Sequence, residues 1–381
     1  MIRWLGAGES HGKGISVIID GLPAGIAIDV EAINRELSRR QMGYGRGRRM
    51  KIENDRVLIF SGIRHGKTLG SPVQLLVINR DYKNWTEVME IGPGGSGMRI
   101  TKPRPGHGDL AGYLKYGFDD IRNVLERASA RTTVSWVAGG AIFKQFLANF
   151  GITIYSHTLR IGRIQAKKVD QDITELDNTP LRCLDSQKEK QMMELIDQAQ
   201  RRGDSVGGVC EVIAQGVCAG LGTYAQFDRR LDARIGQVMF SIPSVKGVEI
   251  GSGFDSAQRF GSEVQDQIYY KKARGFYRRT NRAGGIEAGV SNGEDIIVRL
   301  WCKPIPTLRQ PLNSVDIETK SPVLAQKERA DVCVVPAVGV IGEAMLAYVI
   351  ADAFLEKFGS DTMRDIQANF AAYLRRLNEA G

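Results

Sequence analysis

Cysteine and histidine are both scarce in this sequence of 381 residues. The five cysteines form no Cys-x-x-Cys pair, and their number is odd. This usage is typical of reduced thiols in a cytoplasmic protein rather than of a disulfide framework. The four histidines include no His-Glu-x-x-His pair, so the sequence predicts no metal site.

Long apolar runs and the common phosphate-binding motif are also missing. No stretch approaches the roughly 18 consecutive apolar residues that a membrane-spanning helix needs. The N-terminal segment MIRWLGAGES lacks the apolar core of a secretory signal. No Gly-x-x-x-x-Gly-Lys-Ser/Thr phosphate loop occurs. We therefore expect neither a membrane protein nor a secreted protein nor a nucleotide-binding P-loop protein.

Positive charge, in contrast, is in excess. The chain has 52 lysines and arginines against 43 aspartates and glutamates, which gives a formal net charge of +9. Such an excess indicates an anionic partner, and nucleic acid, a membrane surface and a phosphorylated metabolite all remain open on charge alone. The positions of the arginines have to distinguish among them.

The order of predicted elements favours an α+β fold in a single domain over residues 1–381. Short β-branched runs such as ISVIID and VQLLVI predict strands, and a helix capped by Asp29 follows the first of them. One helical pattern covers Asp119 to Phe150, and the apolar run AVGVIGEAMLAYVIADAFLEKF predicts a buried helix. Strands and helices come in clusters, which argues against a doubly wound sheet.

Two histidines lie in glycine-rich loops. GESHGKG places His11 after Ser10 near the N-terminus, and KPRPGHGDL places His107 between two glycines with Arg104 nearby. Glycine lets the backbone approach a ligand closely, and arginine binds phosphate or carboxylate through two parallel donors. His65 lies in another basic turn and is a further candidate, whereas the setting of His157 predicts a structural role.

Basic residues recur in the same kind of context. SRRQMGYGRGRRM carries Arg40, Arg46 and Arg49 among three glycines, although a solvated basic turn would look the same. LERASARTT places Arg127 and Arg131 four residues apart, which on one helix gives them a shared face. Buried arginines are costly unless an anion neutralises them, so this pair indicates either an anion site or an exposed basic face.

Two C-terminal segments extend the pattern. KPIPTL from Lys303 is a proline-stiffened turn after a predicted strand, and Asp331 precedes the predicted buried helix. A carboxylate at a helix end is also a common structural feature, so Asp331 alone does not indicate catalysis.

A segment rich in tyrosine and arginine suggests a different class of function. YYKKARGFYRRTNRAGG, from Tyr269 to Gly285, interleaves aromatic and basic side chains as single-strand binding proteins do. An exposed loop explains the same composition. RNA binding is therefore the alternative function.

Several long motifs together resemble the chorismate synthase family. They run in order from Gly8 to about Met345 with compatible spacing, and they are GESHGKGISVIIDGLPAG, RRQMGYGRGRRMKIEND, SGIRHGKTLGSPV, RPGHGDLAGYLKYGFDDIRNVLERASAR, GGIEAGVSNGE, KPIPTL and RADVCVVPAVGVIGEAM. The resemblance implies a fold with central helices sandwiched between two antiparallel β-sheets, and a homotetramer. It also implies 1,4-anti elimination of phosphate and a proton from 5-enolpyruvylshikimate 3-phosphate, giving chorismate, with reduced FMN as a cofactor that is not consumed.

The resemblance also assigns roles to residues of this chain. His11 would protonate the departing phosphate or hold its proton, His107 would protonate or hydrogen-bond the reduced flavin, and Asp331 would assist proton removal through the flavin N5. The residues implied around the substrate anions are Ser10, Arg40, Arg46, Arg49, Arg104 and Arg131. The residues implied around FMN are Arg127, Ala128, Ser129, Ser244, Ala288, Lys303, Pro304, Ile305, Pro306, Thr307 and Arg329.

Some positions depart from the family pattern without removing a charged or proton-moving group. Gly108 replaces a common alanine, Ala330 a common serine and Ala288 a common glycine, and the segment around Ser244 differs from some family versions. These departures affect the detail of the flavin contacts.

The resemblance leaves the source of reduced flavin open. Some members reduce FMN with NADPH, and others rely on a separate flavin reductase or an anaerobic environment; with no added reductase domain, we expect the monofunctional type. We also expect a mobile lid at Tyr269 to Arg282. Because arginines disfavour the imidazolium and a phosphate dianion favours it, we expect His11 to be protonated reliably only with substrate bound.

Overall fold

The computed structural model describes residues 2–47, 54–93, 97–167, 173–272, 275–328 and 331–380. Within these ranges the helices are α1 Val30–Gln41, α2 Asp109–Tyr116, α3 Arg122–Ala128, α4 Thr133–Ala148, α5 Ser186–Arg201, α6 Leu231–Phe240, α7 Gly253–Ser256, α8 Gly261–Val264, α9 Val335–Phe358 and α10 Met363–Ala380. Single 3-10 turns cover Arg80–Asn84, Ala130–Thr132, Ile173–Asn178 and Phe227–Arg229.

The strands of the described residues form two main antiparallel sheets and several short hairpins. The first sheet has the order β1-β2-β6-β3, built from β1 Arg3–Gly8, β2 Gly14–Asp20, β3 Val57–Ser61 and β6 Val73–Ile78. The second has the order β10-β15-β9-β7-β8, built from β7 Thr153–Ile161, β8 Ile164–Gln165, β9 Gly208–Gln215, β10 Val245–Ile250 and β15 Ile296–Cys302. The hairpins pair β4 Ile63–Arg64 with β5 Lys67–Thr68, β11 Ile268–Lys271 with β12 Gly275–Arg278, β13 Ile286–Glu287 with β14 Val290–Ser291, and β16 Asn313–Val315 with β17 Pro322–Leu324.

Three helices occupy the space between the two sheets. Helix α4 packs on β2 and β6 of the first sheet, α9 packs on β7 and β9 of the second, and α1 packs on both α4 and α9. Alternation within the strands produces the inward faces, as in β2, where Ile15, Val17 and Ile19 are buried. The predicted α+β class, with central helices sandwiched between antiparallel sheets, is confirmed. One buried apolar cluster extends from Ile2 to Ile366. That continuity supports the single domain, which stays a prediction.

Small residues let α4 and α9 approach each other and the sheets. A Cβ built at Gly140 would lie 2.2 Å from the Cβ of Ala344, so these two positions form the crossing of the helices. A Cβ at Gly342 would lie 2.8 Å from a methyl of Val212, so α9 lies directly against the second sheet there. The Gly139–Gly140 pair, which is unfavourable in an isolated helix, is thus explained by close packing.

A buried carboxylate joins the central helices electrostatically. Glu343 of α9 is fully buried and accepts hydrogen bonds from Arg39 of α1 (2.8 and 3.0 Å), Lys144 of α4 (2.7 Å) and Ser156 of β7 (2.6 Å). Burial raises the pKa of Glu343, but Arg39, Lys144 and Arg182 outweigh it and hold that pKa well below its usual value. Since Arg39 is held in this way, α1 is fixed in rotation and the next residue, Arg40, faces a different direction.

Helix α9 corrects the expectation that no segment is long and apolar enough to span a membrane. By length and mean hydropathy α9 meets that criterion, with an 18-residue window of mean hydropathy 1.8. However, 94% of that window is buried inside the protein, as the prediction of a buried helix requires. Its composition therefore reflects a position between the sheets.

The single helix predicted over Asp119 to Phe150 is wrong. The chain forms α3, turns through Ala130–Thr132, and then forms α4. Ser129 interrupts the helix because its backbone is extended (φ −65°, ψ 143°) and its hydroxyl accepts a hydrogen bond from the Arg131 amide at 3.2 Å. Serine favours such local caps over helix interiors. Arg127 and Arg131 consequently do not share a helix face.

Replacing Gly140 by alanine tests the helix crossing. The new Cβ would overlap Ala344, so we expect Gly140→Ala to lower the free energy of unfolding by about 1–3 kcal/mol, measured by urea denaturation. Gly236→Ala in α6 is the matched control, because no described heavy atom lies within 4 Å of a Cβ there. The control should gain about 0.5–1 kcal/mol from reduced chain entropy. Equal stabilisation by both changes would contradict the crossing.

Candidate active site

The loop that carries His11 joins β1 to β2 and is attached to helix α3 by Glu126. The Ser10 amide donates to the Glu126 carbonyl at 3.0 Å, and the His11 amide donates to Glu126 Oε2 at 2.7 Å. His11 Nδ1 lies 2.9 Å from Oε1 of the same carboxylate. Burial raises the pKa of Glu126, but the hydrogen bonds from His11 outweigh it and lower that pKa. Glu126 was missed in the sequence, although it adjoins Arg127.

The same loop is held from two further sides. The ring of Trp85 lies over the His11 ring, with centroids 3.9 Å apart and planes 32° apart. Asn79 donates from Nδ2 to the carbonyls of Glu9 and Gly12 at 3.0 and 2.8 Å. The Oδ1 of Asn79 accepts from Arg131 Nε at 2.9 Å, so the loop and this arginine are fixed by one amide.

Two buried arginines share one carboxylate beside this loop. Arg40 and Arg131 are 4% and 5% exposed, and each donates to the fully buried side chain of Asp55, at 2.9 and 2.8 Å. Burial, together with repulsion from Arg131 and Arg46, lowers the pKa of Arg40 to about 10, although Asp55 opposes the shift. Their buried position favours the anion-site interpretation over an exposed basic face. The sequence did not reveal Asp55 as their partner.

Asp331 lies against the basic turn that follows α1. Arg46 Nη1 lies 2.7 Å from Asp331 Oδ2, and the Gly47 amide donates to Oδ1 at 2.5 Å. The Val332 amide also donates to the carbonyl of Gly45 at 2.7 Å. Asp331 and the arginine-rich turn, which the resemblance assigns to one site, are therefore in direct contact. Arg49 of that turn, and Arg329 with Ala330 before Asp331, lie outside the described residues.

The second histidine belongs to a compact group with Arg104 and Asp109. His107 Nδ1 lies 2.6 Å from Asp109 Oδ1, and Arg104 donates to both oxygens of Asp109 at 2.8 and 3.0 Å. Burial raises the pKa of Asp109, but the hydrogen bonds from His107 and Arg104 outweigh it and hold that pKa well below its usual value. Arg104 Nη1 also donates to Thr307 at 3.0 Å, which connects this group to the KPIPTL turn.

The KPIPTL turn is attached to both sides of the site. Lys303 Nζ donates to the Gly106 carbonyl at 2.5 Å, and its amide donates to the carbonyl of Ser244 at 2.9 Å. Ser205 donates to the Ile305 carbonyl at 2.7 Å. Burial and repulsion from Lys246 lower the pKa of Lys303. A cation next to another cation is a favourable setting for a bound anion.

These groups meet in a closed series of contacts. The Ser129 hydroxyl donates to that of Ser10 at 3.1 Å, and a Cβ built at Gly108 would lie 3.6 Å from the Cβ of Ala128. Both histidine loops thus meet at the C-terminal end of α3. On the far side, the Val206 amide donates to the Val332 carbonyl, which joins the Asp331 segment to the residues supporting the KPIPTL turn.

Of the residues assigned to the flavin, Arg127 lies at the same end of α3 as this series but contacts β1, and Ala288 lies apart from it. Arg127 donates to the carbonyls of Gly6 and Gly8 on β1 and remains exposed. Ala288, at φ 49°, lies in the β13–β14 turn against the start of α6, whereas Ser244, at φ 75°, follows the end of that helix. No contact among the described residues joins Ala288 to the histidine loops, so its flavin contact stays a prediction. His65 lies in the exposed β4–β5 turn, and His157 contacts Glu211 on β9 at 3.1 Å.

A groove of about 490 Å³ lies elsewhere, beside the β11–β12 hairpin. Its lining includes Asp266, Arg282 and Glu287, and it contains none of the predicted site residues. One guanidinium against two carboxylates does not favour an anionic ligand. The chemistry therefore favours a site among the arginines over this groove.

Comparisons with known proteins agree with this arrangement. A family model described as chorismate synthase matches residues 2–355. The chain is 52% identical to the chorismate synthase of Alkaliphilus metalliredigens (strain QYMF) over 377 residues, covering 98% of this chain and 99% of that protein. It is 51% identical to that of Geobacillus sp. (strain WCH70) over 389 residues, covering 99% and 100%. A solved structure of a chorismate synthase superposes with a TM-score of 0.79 at 38% identity, covering 99% of this chain and 98% of that one.

Replacing Asp55 by asparagine tests the shared carboxylate. The change leaves two buried guanidinium groups without their counter-charge, so we expect Asp55→Asn to lose about 3–5 kcal/mol of unfolding free energy. Inorganic phosphate should then raise the melting temperature of this variant more than that of the unmodified protein. Asp29→Asn, at an exposed carboxylate paired with Arg35, is the control and should change stability by less than about 0.5 kcal/mol. An Asp55→Asn protein of unchanged stability would contradict the arrangement.

Proposed function

This chain belongs to the chorismate synthase family, and we propose that it converts 5-enolpyruvylshikimate 3-phosphate into chorismate with reduced FMN as an unconsumed cofactor. As a member of the family it is an enzyme, a lyase that eliminates phosphate. The observation that carries the finer proposal is the closed series of contacts, which joins the two histidine loops, the buried arginines and Asp331. A 1,4-elimination of phosphate and a proton needs cations and proton-moving groups together in this way.

The proposed substrate carries a phosphate and two carboxylates, so its site needs several cations. We assign this role to Arg40, Arg46, Arg104 and Arg131, with Arg49 from the same turn as Arg46 and with Ser10 beside them. Arg40, Arg104 and Arg131 are 4%, 7% and 5% exposed, and a hydrogen bond to a charged group contributes about 1.5–3 kcal/mol. The Nε of Arg40 is buried and has no hydrogen-bond partner in the described part of the chain. A donor in this position suits a ligand that carries hydrogen-bond acceptors.

Three residues are proposed to move protons. His11 would give a proton to the departing phosphate, since Asn79 holds both the loop that carries His11 and the side chain of Arg131. His107 would donate a proton or hydrogen bond at the flavin, and Asp331 is the carboxylate available to accept the substrate proton. A general acid or base of this kind contributes about 10²–10⁴-fold to a rate.

The residues assigned to FMN suit a ligand with a phosphate and a polar ring system. Lys303 and Lys246 offer two cations in proximity, and the hydroxyls of Ser129 and Thr307 lie beside the two histidine loops. When bound, reduced FMN would lend electron density to the allylic C–O bond and recover it, which suits a redox cofactor to a reaction without net redox change. The residues proposed to hold it are Arg127, Ala128, Ser129, Ser244, Ala288, Lys303, Pro304, Ile305, Pro306, Thr307 and Arg329.

The alternative of RNA binding gains no support. The segment from Tyr269 forms the β11–β12 hairpin, and Arg278 of that hairpin pairs with Glu287 at 2.7 Å. Relatives that match almost the whole chain are chorismate synthases. A lid function for this segment stays a prediction, and residues 273–274 at its tip lie outside the described residues.

The setting of the reaction is also a proposal. The five cysteines are free, which supports a reducing compartment such as the cytoplasm. We propose the monofunctional type, with FMN reduced by a separate flavin reductase or kept in its reduced form by an anaerobic environment. That type should form chorismate with chemically reduced FMN and should form none when oxidised FMN and NADPH are supplied without a reductase.

Replacing His107 by alanine tests the proposed reaction. In an anaerobic assay with chemically reduced FMN, we expect the unmodified protein to form chorismate and His107→Ala to lose about 10²–10⁴-fold in turnover. His65→Ala, at an exposed histidine outside the site, is the control and should keep full activity. Unimpaired turnover by His107→Ala would remove its role, and an unmodified protein that forms no chorismate would refute the function itself.

We propose that the protein is a homotetramer and that the first sheet supplies one interface. The outer face of this sheet is apolar, with Leu5, Leu58 and Phe60 exposed to 72%, 53% and 76% and Ile18 and Ile78 to 42% and 47%. These side chains share one face by strand register, since Leu5 lies opposite Ile18. Large exposed apolar side chains grouped on one sheet face are typical of a protein interface, and a second copy of the chain is the proposed partner.

Replacing Phe60 by aspartate tests this interface. The charge would be buried against an apolar partner face, so we expect the assembly to dissociate toward the 42.0 kDa chain, measured by light scattering after size exclusion. Phe227→Asp is the control, because Phe227 is equally exposed at 78% but lies outside the sheet. An assembly that Phe60→Asp leaves intact, or an unmodified protein that is monomeric, would contradict the proposal.

A further inference from the structure

Two histidines of the site are each held at Nδ1 by a buried carboxylate. His11 pairs with Glu126 and His107 pairs with Asp109, at 2.9 and 2.6 Å. The carboxylates are 3% and 1% exposed. Neither carboxylate belongs to the residues assigned to substrate, flavin or proton transfer. Their position behind the rings raises the question of what they do for the histidines.

The contact between Glu126 and His11 uses both carboxylate oxygens. Oε2 accepts from the His11 amide at 2.7 Å and lies 3.1 Å from Nδ1, and Oε1 faces Nδ1 more closely, at 2.9 Å. A carboxylate only accepts hydrogen bonds, so Nδ1 must carry the proton that the contact needs. In the neutral ring the acceptor is then Nε2. Trp85 lies over the ring and further restricts its rotation.

The pair at His107 is different in one respect. Arg104 Nη2 lies 3.1 Å from His107 Nδ1, and Arg104 also occupies both oxygens of Asp109. Asp109 is therefore neutralised by a guanidinium in bidentate contact, which also competes for Nδ1. Among the described residues, Arg122 contacts Glu126 at 3.3 Å, through one nitrogen only. The Glu126 carboxylate therefore offers more negative charge to His11 than the Asp109 carboxylate offers to His107.

We propose that Glu126 is a positioning residue that fixes the Nδ1–H form of His11, stabilises its imidazolium, and presents Nε2 to the departing phosphate. This inference rests on the proposed function of His11. It also adds a buried carboxylate to the arginines on which the expectation for the protonation of His11 was based. The other charged groups near the loop are Arg122 on α3, Asp81 beneath Trp85, and Glu9 and Lys13 on the loop itself.

Glu126→Gln is a direct test because the glutamine amide has the same shape but can donate a hydrogen bond to Nδ1, where the carboxylate can only accept one. The glutamine oxygen can accept from the His11 amide while its NH2 donates to Nδ1, so the ring proton would move to Nε2. A tautomer reversed in this way costs about 10⁴-fold in turnover in a comparable triad. We expect Glu126→Gln to lose 10²–10⁴-fold in kcat with little change in KM, and the alkaline limb of the kcat profile to move to lower pH.

Ring ¹⁵N NMR spectra of histidine-labelled protein report the tautomer of each histidine. A loss of stability alone does not change that tautomer. His11, assigned by comparison with His11→Ala, should be Nδ1-protonated in the unmodified protein and Nε2-protonated in Glu126→Gln. Glu126→Asp retains the charge and should keep the Nδ1–H form and more of the activity. Glu211→Gln is the matched control, since Glu211 is a buried carboxylate paired with His157 outside the site, and its kcat should be unchanged.

Three results would overturn the inference. The first is an Nε2-protonated His11 in the unmodified protein. The second is Glu126→Gln with unchanged tautomer, pH profile and kcat. The third is full activity of His11→Ala. If any of these occurs while His107→Ala is inactive and the unmodified protein forms chorismate, the proposed reaction stands and the role of Glu126 fails, together with that of His11 in the third case.

Discussion

Two buried guanidinium groups that share one carboxylate are the constraint on which the site depends. Arg40 and Arg131 both donate to Asp55, and a single carboxylate cannot neutralise two cations. Two guanidinium groups held close together in a region of low dielectric repel each other, and that repulsion is costly. A polyanionic ligand removes that cost, so the same charges that reduce stability without ligand supply affinity for it. The lowered pKa of Arg40 reflects this situation.

The rest of the fold keeps these charges in place. Close packing of Gly140 on Ala344 fixes α4 against α9, and Arg131 lies directly before α4. The buried ion network at Glu343 fixes α1 through Arg39, and Arg40 follows it. Loops between strands and helices then add the histidines, each attached to a carboxylate. The central helices thus act as a rigid support for groups at their ends.

The elements with strong local signals could be predicted from the sequence. The apolar run of α9, the capped start of α1 at Asp29 and the β-branched strands all appear where local pattern places them. The helix break at Ser129 was missed because its cause is a local hydroxyl cap that competes with an otherwise helical pattern. The composition of the segment from Tyr269 is typical of an exposed loop, but backbone pairing between β11 and β12 makes it a hairpin.

The site was predicted in part for a similar reason. Cations and histidines are recognisable in glycine-rich loops, and His11, His107, Arg104 and Asp331 lie in the joined contacts. Their carboxylate partners are not recognisable, because which of 43 acidic residues meets a given cation depends on tertiary structure. Buried cations generally need carboxylate partners, but this rule does not identify the partners as Asp55, Glu126 and Asp109. Ala288 shows the opposite case. Its motif matches the family pattern, but no contact among the described residues joins Ala288 to the histidine loops.

The most direct test of the central claim is a crystal structure of the complex with 5-enolpyruvylshikimate 3-phosphate and FMN. We predict phosphate oxygens within hydrogen-bond distance, about 2.7–3.2 Å, of the Arg40 or Arg131 guanidinium, with the flavin beside His107. A ligand bound instead in the groove lined by Asp266 and Arg282, away from both buried arginines, would contradict the account.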